Sequence, residues 1–147
     1  AWKLAALDVG IDDVVTAAEW VETGSIAFAG ARALALDGEL DTGFIAVDDG
    51  GVLIRGGDFD GELKSATKAV TKALKKKGWK AHAHDLVLAD PDVFVFASTS
   101  NGAANAGDIE SDFGVLHAPL AKGKYAVLVL GAEQDGEPVV YIHLKRR

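Results

Sequence analysis

The sequence predicts an α+β fold, with a mostly antiparallel curved sheet or open barrel of about eight or nine strands and one amphipathic helix at about 60–77. Three observations predict this class. Short apolar runs of strand length recur along the chain, one segment has a helical period, and strands do not alternate with helices as they do in doubly wound folds. The length of 147 residues suits one domain, so we expect a single domain spanning 1–147.

The first part of the chain contains three apolar segments. Residues 2–9 and 14–21 are short enough for either a strand or a helix, and the Val-Val-Thr start of 14–21 favours a strand. Residues 25–36, SIAFAGARALAL, are typical of one long strand. Gly30 lies inside it and indicates a bend or bulge, because glycine within a strand often marks one.

Turn residues separate most of the later strand candidates. Asp48-Asp49-Gly50-Gly51 and Asp135-Gly136 both have the composition of hairpin turns, so the strands that flank each turn are expected to pair antiparallel. The strand candidates of this part of the chain are 43–47, 52–55, 79–88, 93–98, 113–120, 124–131 and 138–144.

One segment has the period and the end signals of a helix. Asp58 or Asp60 supplies an N-cap oxygen, Glu62 suits the positive helix start, and Gly78 is expected to end the helix. An apolar face is predicted for Leu63, Ala66, Val70, Ala73 and Leu74. The opposite face is lysine-rich and contains Lys64, Lys68, Lys72 and Lys75.

The charge of the chain is unevenly distributed. Net charge is −7, yet residues 62–80 contain seven lysines and a single acid, Glu62. A negative protein repels nucleic acid and attracts cationic partners, so we expect a basic protein as partner and neither nucleic acid nor a membrane. The lysine-rich segment has no arginine and no interleaved aromatic residue, which favours a solvated helix face over a nucleic-acid site.

The sequence KAHAHD at 80–85 is the strongest candidate for a metal site. On a strand, His82 and His84 face the same way, and two imidazoles in this arrangement suit a divalent transition metal. The alternative is an ordinary solvent-facing polar row, which we favour because a third ligand has to come from a distant residue. The pattern is near the His-x-His-x-Asp-His of metallo-β-lactamase-type hydrolases, but its spacing differs and its final histidine is missing.

Acidic side chains cluster in loops that suit contacts with a cationic protein. Asp108, Glu110 and Asp112 also resemble the first ligands of a calcium loop, but Phe113 and Pro119 stand where the EF-hand requires glycine and glutamate. The acids predicted to bind a partner are Asp48, Asp49, Asp90, Asp92, Asp108, Glu110 and Asp112.

These residues favour a non-enzymatic binding or inhibitor domain without a cofactor, since no complete catalytic motif is present. In size, charge and strand content the chain is similar to the small acidic α+β proteins that neutralise bacterial toxins, although no motif is shared. The alternatives are a small metal-dependent enzyme that uses His82 and His84, and an engineered scaffold, which the absence of both Met and Cys would suit. The lack of cysteine and of a signal peptide in this sequence predicts a cytoplasmic location.

Overall fold

The computed structural model describes residues 24–28, 31–35, 42–57, 63–88, 91, 93–95 and 116–147. Its elements divide between two compact units. The first unit contains β1 (Gly24–Phe28), β2 (Ala31–Ala35), β6 (Leu86–Leu88), β7 (Val93–Val95) and β8 (Leu116–Ala118). The second contains β3 (Thr42–Val47), β4 (Gly50–Gly56), α1 (Leu63–Leu74), β5 (Lys80–Ala81), β9 (Gly123–Gln134) and β10 (Glu137–Arg146).

The second unit is built on an antiparallel sheet with the strand order β3-β4-β10-β9-β5. The long strand β10 lies at its centre, pairing with β4 on one side and with β9 on the other. The sheet is open, and α1 is the one helix among the described residues. The α+β class and the antiparallel pairing are therefore confirmed.

The number of strands differs from the prediction. The described segments form ten strands in separate sheets, so the predicted eight or nine strands of one curved sheet are not confirmed. The single domain spanning 1–147 stays a prediction, and the candidate elements at 2–9 and 14–21 lie outside the described residues.

The first unit corrects the prediction of one long strand at 25–36. Strands β1 and β2 form an antiparallel hairpin in which Phe28 pairs with Ala31 and Ile26 pairs with Ala33. The segment 25–36 therefore contains two short antiparallel strands instead of one long strand.

One face of the main sheet packs against α1. The core there consists of Ile45, Val52, Ile54, Val70, Ala73, Leu130, Val139 and Tyr141, with Ala66, Leu74 and Trp79 packed against it. The other face is buried as well, because Leu53, Tyr125, Val127, Ile142 and Leu144 are all at most 2% exposed. Strands buried on both faces carry near-continuous apolar runs, which explains the sequences VLI in β4 and YIHL in β10.

Helix α1 has the predicted apolar face with one exception. Val70 and Ala73 are buried, whereas Leu63 is 70% exposed at the first helical residue. The helix ends at Leu74, because the amides of Lys75 and Lys76 bond to carbonyls three residues back. Gly78, with a φ of 99°, therefore lies beyond the helix end and not at it.

The turn between β3 and β4 requires glycine at position 50. Gly50 has a φ of 145°, and a Cβ at this position overlaps the carbonyl oxygen of Leu144 in β10. The antiparallel pairing of β3 with β4 confirms the predicted hairpin. Its turn lies directly against the central strand β10.

We expect Gly50→Ala to destabilise the protein by more than the roughly 1–3 kcal/mol of backbone strain alone, because Leu144 has to move as well. Gly43→Ala in β3 is the matched control, since an added Cβ there meets no described atom within 4 Å. That variant should be neutral or slightly stabilising, as glycine weakens a strand by about 0.5–1 kcal/mol. Urea unfolding measures both, and equal effects would contradict the close approach.

Candidate functional site

A buried histidine of β10 contacts an aspartate of the β3–β4 turn. His143 of β10 is 6% exposed. Its Nε2 lies 2.9 Å from Oδ1 of Asp49, whose side chain is 45% exposed. Because His143 is buried among apolar side chains, the carboxylate supplies the hydrogen bond that the imidazole needs there.

Trp79 connects this pair to the end of α1. Its ring meets His143 edge-on, with the ring centroids 5.9 Å apart. Its indole Nε1 donates to the carbonyl oxygen of Ala73 over 3.3 Å, and the same carbonyl also accepts from the amide of Lys76. The helix end, the central strand and the acidic turn are therefore linked through two aromatic rings.

The His143–Asp49 pair has part of the geometry of an acid–base catalyst. A carboxylate that holds one imidazole nitrogen fixes the ring orientation, as in catalytic triads. The hydrogen bond between His143 and Asp49 holds the Asp48–Asp49 turn against β10. A backbone hydrogen bond holds it there as well, since the amide of Arg146 donates to the Asp49 carbonyl.

The predicted strand at 79–88 is wrong at its centre, where His82 and His84 lie. Only Lys80–Ala81 and Leu86–Leu88 are strands, and residues 82–85 bend between them. The physical reason is a local hydrogen bond that competes with the ladder, because the His84 amide donates to Nδ1 of His82 over 3.1 Å. The strand alternation that would place both imidazoles on one face therefore does not apply.

The two histidines are neighbours, with ring centroids 6.1 Å apart and planes tilted by 51°. The Nδ1 of His82 is 3.1 Å from the amide nitrogen and 3.2 Å from the carbonyl oxygen of His84, so it has a partner in either protonation state. The part of the chain that the structure describes has no group of three His, Cys, Asp or Glu side chains that could hold a metal ion. The metal site at His82 and His84 stays a prediction.

Asp85 belongs to an ion cluster. The guanidinium of Arg147 donates to both of its carboxylate oxygens, at 2.9 and 3.0 Å, and Nζ of Lys124 lies at 3.5 Å. The hydrogen bond from Arg147 is the main cause that lowers the pKa of Asp85 below its ordinary value of 3.8. The cluster holds residue 147 to the segment that follows β5.

Of the acids predicted to bind a partner, the structure describes two. Asp48 is exposed at the tip of the β3–β4 turn, and Asp49 is half-exposed and held by His143. The remaining predicted acids lie outside the described residues: Asp90, Asp92, Asp108, Glu110 and Asp112.

The lysine-rich segment forms an exposed cationic face along and beyond α1. None of its lysines makes an ion pair with a described residue. We call this surface the lysine face, and its members are Lys64, Lys68, Lys72, Lys75, Lys76, Lys77 and Lys80, all exposed. This matches the predicted solvated side of the helix.

Two of these contacts could not be found by sequence reasoning. His143 and Asp49 are 94 residues apart, and Asp85 and Arg147 are 62 apart, so no local spacing connects them. The only available signal was the position of His143 inside an apolar strand, where a buried imidazole needs a hydrogen-bond partner.

No protein-family model matches this chain, and neither does any curated protein or any solved structure. No described helix is long and apolar enough to cross a membrane.

A double-mutant cycle measures the His143–Asp49 contact. We expect Asp49→Ala to lower the free energy of unfolding by about 1–3 kcal/mol, because it leaves the buried imidazole without its partner. His143→Phe should cost less, since the carboxylate of Asp49 is 45% exposed and water can replace the imidazole. The double variant should lose less than the sum, by about 1 kcal/mol. Asp48→Ala is the neighbouring control, and strictly additive losses would contradict the contact.

The ion cluster predicts a pH-dependent contribution to stability. The pKa of Asp85 is lowered in the folded state, so its ion pair stabilises the fold at pH values above the ordinary pKa. That stabilisation is lost as the pH falls through the folded-state pKa. Asp85→Asn should therefore lower the free energy of unfolding near neutral pH and have little effect on it in acid. Chemical unfolding at both pH values measures this difference.

Glu133→Gln is the control for Asp85→Asn, because it removes one negative charge from an exposed position of β9. A stability loss of Asp85→Asn that stays constant from neutral to strongly acid pH would show that the ion pair contributes nothing.

Proposed function

We propose that this protein is a non-enzymatic binding domain whose acidic surface recognises a cationic protein. The observation that carries the proposal is the division of charge between the two units. The first unit contains 12 acidic and 3 basic residues, whereas the second contains 10 acidic and 12 basic residues. The net negative charge of the chain thus comes from the unit that includes the acids at 90–92 and 108–112.

The β3–β4 turn supports the proposal in the second unit. Asp48 is exposed there, while Asp49 is held by His143 and by the backbone amide of Arg146. A turn fixed before binding loses little conformational entropy when a partner arrives, so its acids are well suited to recognition. Complementary charge accelerates such an encounter and makes it sensitive to salt.

The metal-enzyme alternative has less support. His82 uses its Nδ1 within its own bend, and the described residues supply no third ligand near the two rings. The proposal includes neither nucleic acid nor a membrane as partner, because a net charge of −7 repels phosphate groups. It places the protein in the cytoplasm, where a chain without cysteine fits the reducing conditions.

A pair of charge-reversal variants tests where recognition occurs. Asp108→Lys with Asp112→Lys changes the proposed surface, and Glu133→Lys with Glu137→Lys changes the β9–β10 hairpin. Both double variants move the net charge from −7 to −3, so general attraction changes equally. With lysozyme as a cationic probe, we expect the first to weaken binding at least about tenfold, or about 1.4 kcal/mol, and the second far less.

Biolayer interferometry at several salt concentrations provides the measurement. Affinity for the wild type should fall as salt rises, because exposed charges more than a Debye length apart are screened. No binding of lysozyme at low salt, or equal losses in the two double variants, would overturn the acidic surface as the recognition site.

A further inference from the structure

The lysine face carries cations without anionic neighbours in its own segment. Residues 63–80 contain seven lysines and no acidic residue. The lysine side chains are exposed, and none of them forms an ion pair or a hydrogen bond with a described residue. Glutamate and lysine four residues apart stabilise a helix, whereas like charges at this spacing destabilise it. Helix α1 therefore has the repulsion without the compensation.

The spacing of the lysines produces a continuous row of like charges. Lys64, Lys68 and Lys72 repeat every four residues, and Lys75 follows three residues later, so each cation lies beside the next. The helix dipole favours cations near the end of α1 but opposes Lys64, the second residue of the helix. An anion that lies along this row replaces repulsion with attraction, so the row selects a negatively charged ligand.

The repeat of the row suits an extended peptide. A helix rises about 1.5 Å per residue, which places one cation every ~6 Å along α1. An extended peptide turns every second side chain to the same side, at intervals of roughly 6.6 Å. The flexible stem of lysine absorbs this small difference. Acidic residues at alternate positions of an extended segment can therefore each meet one lysine of the row.

The same face is poorly suited to nucleic acid. It contains no arginine for bidentate binding of phosphate, and the one aromatic residue of 63–80, Trp79, packs against His143. The net charge of −7 also repels a DNA duplex, with its one charge per about 1.7 Å, more than it repels a peptide with one charge per roughly 6.6 Å.

We infer that the lysine face binds an acidic, extended peptide segment of another protein along Lys68, Lys72 and Lys75. Exposed charges are screened beyond about 8 Å at physiological ionic strength, so the row attracts the peptide at close range despite the net charge of the chain. This surface is separate from the acidic surface of the proposed function and takes a ligand of the opposite charge. Exposed ion pairs are individually weak, so the row binds through several of them together.

Fluorescence anisotropy with a labelled peptide of alternating glutamate and serine tests the inference on the whole chain. We expect the wild type to bind at low salt and to lose affinity as salt rises. Lys68→Gln with Lys72→Gln should weaken binding at least about tenfold. Lys122→Gln with Arg146→Gln is the matched control, because it changes exposed cations beside Gly123 at the start of β9. Both double variants move the net charge from −7 to −9, and the control should lose far less affinity.

Urea unfolding distinguishes lost binding from lost folding. The helix variant should be at least as stable as the wild type, since glutamine is as good a helix former as lysine and the like-charge pairs are removed. Adding the peptide should raise the thermal midpoint of the wild type and leave that of the helix variant unchanged, because only a bound ligand stabilises the folded state.

An oligothymidylate with the same number of charges identifies the class of ligand, and we expect it to bind more weakly than the peptide. Three results overturn the inference: no binding of the peptide by the wild type at low salt, equal losses of affinity in the two double variants, or binding of the oligothymidylate as tight as that of the peptide. None of them affects the proposed recognition of a cationic protein, which is measured with lysozyme and with variants of other residues.

Discussion

The central position of β10 is the constraint on which the second unit depends. Its backbone groups are buried between β4 and β9, and buried N–H and C=O groups have to be paired. Ten consecutive residues of β10 pair with β9, which fixes the register and assigns each side chain to one face of the sheet. Both faces are buried, so β10 admits a polar side chain only where a partner reaches it.

His143 is the polar side chain that this strand admits, and its requirements extend to the neighbouring elements. The imidazole needs a hydrogen bond in an apolar setting, and Asp49 reaches it from the β3–β4 turn. That turn can lie against β10 because Gly50 leaves room for the carbonyl of Leu144. Trp79 packs edge-on against the imidazole and donates a hydrogen bond to the carbonyl of Ala73 in the last turn of α1. Through these contacts the buried ring of His143 joins β10 to the β3–β4 turn and to the segment that follows α1.

The two units differ in charge. Acidic residues dominate the first unit, while the cations of the second lie mainly on the lysine face, where α1 keeps them away from the core. Two of the described histidines make structural hydrogen bonds, His143 to Asp49 and His82 to the backbone of His84.

The sequence by itself determined the parts of this protein that depend on neighbouring residues. The helical period located α1, and Asp-Asp-Gly-Gly and Asp135-Gly136 located two hairpins, because turn and helix signals act over a few positions. The same local signals described 25–36 as one strand and 79–88 as another, since alternation alone does not reveal a reversal or a bend. Only the tertiary structure decided that His143 meets Asp49 and that Asp85 meets Arg147. Those contacts join residues far apart in the chain, and the order of the strands, which local physical chemistry leaves open, brings them together.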